Sequence, residues 1–207
     1  MLGKYQSDDV LIALHYQNEN CHPEGKIKIG ISEGAEWRQQ TLDTARRLLQ
    51  ETRACGVPII HVRLAVRPDH ADVIQNNFIF RQWVEVGAWM EGTWGCEFLE
   101  GCEPKGDEMV VTHTRNNGFY GCNLEEIVNL YRPCRVICAG VSTAYAVECT
   151  VRHASDVGYD TWVVSDACST ATIEQHEAAL KAMSLIATVA TTDDIVASFR
   201  SDGEAET

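Results

Sequence analysis

An α/β fold, a Rossmann-like three-layer sandwich with a mainly parallel sheet, is predicted by three observations on this 207-residue chain. Short apolar runs alternate with segments of helical period, the pattern of successive βαβ units. Val10 to Leu14 and Val136 to Ala139 are apolar without interruption, which marks strands buried on both faces. Val136 to Val164 contains a complete strand, helix, strand unit, whose two strands should be parallel.

Taken in order, the first strand, Val10 to Leu14, ends abruptly at His15-Tyr16-Gln17-Asn18-Glu19, so polar chemistry begins where the strand stops. Asn20 to Gly34 has a proline, three glycines and no period, and is expected to be a long loop. Leu42, Ala45, Leu49 and Thr52 mark one helix face, with Gly56 just beyond its end, and Pro58 to Val62 is the second strand. Arg63 to Asn77 is irregular, with Arg63, Arg67, His70 and Asp72, and is expected as a loop. Trp83 to Glu100 carries three tryptophans and the turn-like Glu91-Gly92-Thr93-Trp94-Gly95. These rings either wall a pocket or bury a subunit interface.

Met109 to Thr112 is the third strand, ending at His113 and followed by a polar, glycine-containing stretch to Gly121. Leu124, Ile127, Val128 and Tyr131 predict a helix that leads into the Val136 to Ala139 strand, itself bounded by Pro133 and Gly140. Val147, Val151 and Ala154 then recur at helical spacing up to Gly158, and Thr161 to Val164 closes the unit. Thr172 with Gln175 forms a capping box before a helix striped by Ala179, Met183, Ile186 and Ala190. Thr188 to Thr191 reads either as the end of that helix or as a final strand, and residues from about 200 to 207 read as a disordered tail.

Composition bounds the function. Length and 45% hydrophobic content suit one domain spanning 1–207. A formal net charge of -13 without a dense basic run excludes a general nucleic-acid binder. Nine cysteines, an odd number with no CxxC pair, fit reduced thiols better than a disulfide framework. The N-terminal MLGKYQSDDV lacks the features of a signal peptide and no run reaches membrane-spanning length, so a soluble, cytoplasmic protein without membrane partners is expected.

In an open parallel sheet, ligands sit outside the carboxyl ends of the strands. That rule selects His15, His113 and the turn Gly140-Val141-Ser142-Thr143, whose backbone N–H groups at a helix start can stabilise negative charge. The plainer reading of that turn is that Ser142 or Thr143 simply caps the helix.

Four separated pieces resemble the isochorismatase-like hydrolases, or cysteine hydrolase superfamily. LIALHYQNEN resembles a first strand ending I-D-x-Q-N-D, and EGTWGCEF resembles E-G-T-x-G-x-E. VVTHTRNNGF resembles V-x-K-x-R-x-S-A-F, and AGVSTAYAVECTVRHASDVGY resembles G-V-x-T-x-x-C-V-x-x-T-x-x-x-A-x-x-x-G-Y. The resemblance implies a hydrolase that joins an Asp, a Lys and a Cys at its site. Residue by residue, this chain has His15 for the Asp, His113 for the Lys and Ala146 for the Cys. Thioester chemistry at that position is therefore excluded, because alanine offers no nucleophile.

Three readings remain. In the first, the protein is a hydrolase of a small polar or cyclic metabolite that works without a covalent intermediate, with His15 as principal proton-transfer group and His113 as second acid, base or electrophile. The second relocates the nucleophile to Cys149, which as a buried thiol reads better as a core residue. The third is a binding protein without turnover, with a variant in which His15, His113 and Glu19 or His70 hold a divalent metal. The relatives' metal ligands after the second strand are replaced by Arg63-Leu64-Ala65, so neither metal nor other cofactor is expected.

The first reading places a small-molecule substrate in the crevice between His15 and His113. It is expected to touch Gln17 and Glu19 after the first strand, Trp94, then Asn116, Asn117 and Phe119 after the third strand, and Ser142, Thr143 and Ala146 at the helix start. Arg115 is expected to pair with an acidic group inside the fold, Arg67 to be solvated and His61 to be a satisfied core residue. The resemblance also implies a homo-oligomer.

Overall fold

In the computed structural model, which describes residues 7–28 and 35–204, six strands form one sheet in the order β3-β2-β1-β4-β5-β6, every neighbouring pair parallel. The strands are β1 (Asp9–Leu14), β2 (Ile59–Leu64), β3 (Met109–His113), β4 (Arg135–Gly140), β5 (Asp160–Val164) and β6 (Thr188–Ala190). The helices are α1 (Asn18–Cys21), α2 (Ala35–Ala54), α3 (Phe78–Val86), α4 (Leu124–Tyr131), α5 (Glu148–Val157), α6 (Ile173–Met183) and α7 (Thr192–Glu204). All six residues of β1 are buried, so both faces of the sheet are covered, as the uninterrupted apolar run requires.

Helix ends follow their local chemistry. The Thr172 hydroxyl accepts from the Gln175 N–H at the start of α6, and Gly158 stops α5 in the left-handed region. Four expectations are corrected. The irregular stretch after β2 starts later, because Arg63 and Leu64 still pair with β3. A helix, α3, runs into the tryptophan-rich segment and contains Trp83: Asn77 caps it by accepting from the Phe80 N–H and Gly87 ends it at φ 61°. Asn20 and Cys21 belong to the short helix α1, and residues 29–34 of the expected loop lie outside the described residues. Finally, α6 stops at Met183, so Ile186 and Ala190 leave its apolar stripe and Thr188–Ala190 is a strand. The last helix, α7, then runs to Glu204, into the segment read as a tail. No helix among the described residues is long and apolar enough to cross a membrane.

The strand order turns back between β1 and β4, which makes their carboxyl ends the topological switch point. Gly140 lets the two ends approach: the Val141 N–H donates to the Leu14 carbonyl at 3.0 Å, and a Cβ on Gly140 would run into that same carbonyl. At the opposite end of the pair, Arg135 holds Asp9 through two bonds of 2.5 and 2.6 Å. Both devices fix the register of β1 on β4.

Candidate active site

His15 follows β1 directly and takes φ 54°, a left-handed conformation that costs a non-glycine residue free energy and persists only where neighbours hold it. Its N–H donates to the Val62 carbonyl at 2.9 Å and its carbonyl accepts from the Gln17 N–H at 2.8 Å. Tied down in this way, its ring meets that of His113, the last residue of β3. The two Nε2 atoms are 2.6 Å apart and both side chains are buried.

A contact of that length between two ring nitrogens needs one proton between them. His113 Nδ1 lies 3.1 Å from the Asn117 carbonyl, an acceptor, so His113 carries its proton on Nδ1 and presents a lone pair at Nε2. His15 must then donate from Nε2, which leaves its Nδ1 to take up a proton. Burial, followed by the neighbouring His113, holds the His15 ring well below the ordinary imidazole range, with the Val141 carbonyl pulling the other way. Burial likewise lowers His113, to about 4. Both rings are neutral at pH 7, and His15 is a base beside a carbonyl that favours its protonated form.

His15 opens onto a cavity of about 40 Å³ whose wall includes Ser142, Tyr145, Ala146, Asn20, Trp83 and Trp89. That is room for roughly three waters, at ~10–15 Å³ each, or for a molecule of a few heavy atoms. His113 stands behind His15 and is not part of this wall. The rings are in direct contact, so the place for a substrate is beside His15 and not between the two.

The sequence-selected residues divide by where they stand. Ser142, Ala146 and Asn116 line the cavity. Gln17 is buried and ties strands together, donating from Nε2 to the Leu64 and Cys96 carbonyls while Oε1 accepts from the Leu64 N–H. The Glu19 carboxylate accepts from the Lys26 and Trp89 N–H groups, at 2.9 and 3.0 Å. The Thr143 hydroxyl meets His176 Nδ1 at 2.8 Å. Asn117 engages His153 and the Phe119 N–H, and Phe119 stacks on the His153 ring at 4.6 Å. None of these five lines the cavity.

Trp94 is 44% exposed, packs edge-on against His22 and lines a different depression. The tryptophans at the cavity are Trp83 and Trp89. Asn20 belongs there too, donating to the Val141 carbonyl at 3.3 Å. The polar run after β1 signals Asn20; nothing in the sequence separates Trp83 and Trp89 from Trp94, because the choice depends on how the segment after α3 folds back.

The start of the helix after β4 is one wide turn, Thr143–Val147, continuing into α5. Three of its N–H groups are spent: Thr143 donates to the Ser169 carbonyl, Tyr145 and Val147 to the Ser142 carbonyl. Ala146, in the same turn, stands in the cavity wall. Cys149 is half-buried in a surface groove with Arg115 and Asn117, outside the wall around His15. Burial and then Glu148 raise its thiol, so it is not a thiolate at neutral pH.

Arg115 has a structural role, but its partners are not acidic: it is stacked 3.7 Å over Phe80 and bonded to the Ile74 carbonyl and Asn76. Arg67 is exposed and pairs with Asp69, and His61 is a buried partner of Glu108. The donor set at the histidine pair does not suit a divalent metal. Two nitrogens bound tetrahedrally at ~2.0–2.1 Å stand roughly 3.3 Å apart, whereas these two are in contact at 2.6 Å. Glu19 is held by backbone N–H groups, and no cluster of three potential ligands occurs among the described residues.

A family model described as the isochorismatase domain matches residues 9–194. An uncharacterized isochorismatase family protein of Bacillus subtilis, YrdC, is 36% identical over 73 residues, 35% of this chain and 39% of its own length. The match thus spans about two fifths of that relative. The ureidoacrylate amidohydrolase RutB of Acinetobacter baylyi is 26% identical over 91 residues, 44% of this chain and 37% of its own. Among solved structures, an isochorismatase family protein from Desulfovibrio vulgaris superposes with a TM-score of 0.81 at 26% identity, covering 92% of this chain and 98% of that one.

Proposed function

The chain belongs to the isochorismatase family, and from that premise we propose that it is a hydrolase of a small polar molecule that adds water directly, without a cysteine nucleophile. One observation carries the reading: His15, a neutral buried base in 2.6 Å contact with His113, opens onto the same cavity as Ala146, which replaces the thiol of related sites. His15 Nδ1 draws a proton from a water molecule as the oxygen attacks an electrophilic carbon beside the ring. The imidazolium that forms is stabilised by the Val141 carbonyl and by donation from Nε2 to His113 Nε2.

Charge developing on the substrate is met at the helix start, where Ser142 and Ala146 line the cavity. His15 then returns the proton to the leaving atom. His113, held through Nδ1 by the Asn117 carbonyl, acts through His15 as a positioning residue.

Cys149 has no part in this reaction. The test follows hydrolysis of a panel of small uncharged amides, esters and enol ethers by wild type and Cys149→Ala, with the intact protein mass read during turnover. Equal rates and an unmodified mass are expected. A covalent adduct, or loss of activity in Cys149→Ala, overturns the proposal in favour of a relocated nucleophile.

A further inference from the structure

Behind the histidine pair, one helix holds the loop that holds His113. That loop, the polar stretch after β3, has no regular structure, so bonds from other elements must place it. Two residues of α5 at i and i+3 spacing, and so on one face, supply them. The Thr150 hydroxyl, fully buried, accepts the Gly118 N–H at 2.9 Å and donates to the Ala146 carbonyl at 2.7 Å. The His153 ring lies parallel to the Phe119 ring, with centroids 4.6 Å apart, and its Nδ1 meets Asn117 Nδ2 at 3.1 Å. Through these contacts α5 grips the loop and, by Thr150, the turn that carries Ala146.

The bonds around Asn117 have one consistent direction. The Phe119 N–H can only donate and lies 3.0 Å from Asn117 Oδ1, so the amide nitrogen is the end turned to His153. That nitrogen also only donates, so His153 presents a lone pair at Nδ1 and carries its proton on Nε2. The backbone carbonyl of the same Asn117 accepts from His113 Nδ1 at 3.1 Å, and His113 Nε2 accepts from His15. With a donor in place of the His153 lone pair, two N–H groups would face each other, and Asn117 could turn its amide only by giving up Phe119.

The tautomer matters for the chemistry. Were the His113 proton on Nε2, His15 would have to accept it at its own Nε2 and keep its proton on Nδ1, and the base would be lost.

We propose that His153 is a positioning residue for the histidine pair: as acceptor for Asn117 it fixes the loop whose carbonyl keeps the His113 proton on Nδ1, and so keeps His113 Nε2 open to His15. The inference rests on the reading of His15 as the base and adds a residue that stands outside the cavity wall.

The test uses the full chain labelled with ¹⁵N at histidine, the ring signals being assigned with His15→Gln, His113→Gln and His153→Gln. Two further substitutions separate the hydrogen bond from the stacking. His153→Phe keeps a ring on Phe119 and removes the acceptor, whereas His153→Asn gives up the ring and keeps an acceptor oxygen at the δ position. In wild type, His113 should show a protonated Nδ1 and a bare Nε2, well separated in ¹⁵N shift, and His153 the reverse. In His153→Phe the His113 separation is expected to fall by about half or more as its tautomers mix, with kcat on the substrate panel lower by about 3-fold to 10-fold and KM unchanged. His153→Asn should restore the separation. A protonated Nδ1 on His153 in wild type, or an unchanged separation in His153→Phe, overturns the proposal. Equal collapse in both variants overturns it too, since stacking then places the loop. Because the tautomer is read without turnover, its loss in His153→Phe of a protein that hydrolyses nothing would sink the hydrolase reading and leave this one standing.

Discussion

His15 Nε2 and His113 Nε2 are 2.6 Å apart although 98 residues separate them in sequence, and only the first ring reaches the cavity. This divides two residues of the same type into two roles. His15 exchanges the proton, and His113 fixes which nitrogen of His15 is free to do so.

His113→Gln keeps an acceptor near His15 Nε2 without the ring, so it should lower kcat by on the order of 10-fold to 100-fold while KM changes little, since His113 does not line the cavity. Steady-state kinetics on the best substrate of the uncharged panel checks this. A rise in KM with kcat unchanged would mean that His113 binds substrate.

Activity should be level across neutral pH and fall only in acid. Burial holds His15 well below the ordinary imidazole range of about 6.5, so the base form persists until the pH drops well beneath that value. A kcat/KM profile whose acid limb lies near or above 6.5 would contradict the environment described here.

The same burial makes folding acid-sensitive. His113 titrates near 4 in the folded chain and near 6.5 unfolded, so between those values the unfolded state binds more protons and stability falls as pH falls. Below about 4 its contribution levels off, and above about 6.5 it is fully present. Urea midpoints should be higher at pH 7.5 than at pH 5, with the slope reduced in His113→Gln.

Glu19→Ala should destabilise the chain by about 2–4 kcal/mol, because the Lys26 and Trp89 N–H groups lose their acceptor in the interior. Glu19→Gln, which keeps one acceptor oxygen, should recover part of the loss. Urea unfolding of the two variants measures this, and a change in KM without a change in stability would return Glu19 to the substrate.

Gly140→Ala should cost more than about 2 kcal/mol, since a Cβ there meets the Leu14 carbonyl and φ is +153°. Unfolding midpoints of the variant test it.

Much of this was legible in the chain itself. Parallel strands followed from apolar runs buried on both faces, and the rule that strand ends gather the site selected His15, His113 and the turn at Ser142, though with a substrate between the two rings, which are instead in contact. What escaped was decided at longer range. The helix α3 starts directly after the irregular stretch, capped by that stretch's last residue, Asn77, and it packs Phe80 and Trp83 inward. Gln17, Glu19, Thr143 and Asn117 are polar residues near the strand ends, and sequence position alone does not separate a side chain that faces substrate from one that holds backbone. Trp83 and Trp89 against Trp94 is the same difficulty: all three are equally aromatic, and only the closure of the loop between α3 and β3 chooses among them.

The central claim is that a histidine without a thiol performs the hydrolysis. The turnover number of His15→Ala, measured beside a circular dichroism spectrum that matches wild type, tests it most directly. The account predicts a loss on the order of 10² to 10⁴ in kcat with the fold intact; a variant that folds and turns over at the wild-type rate would contradict it.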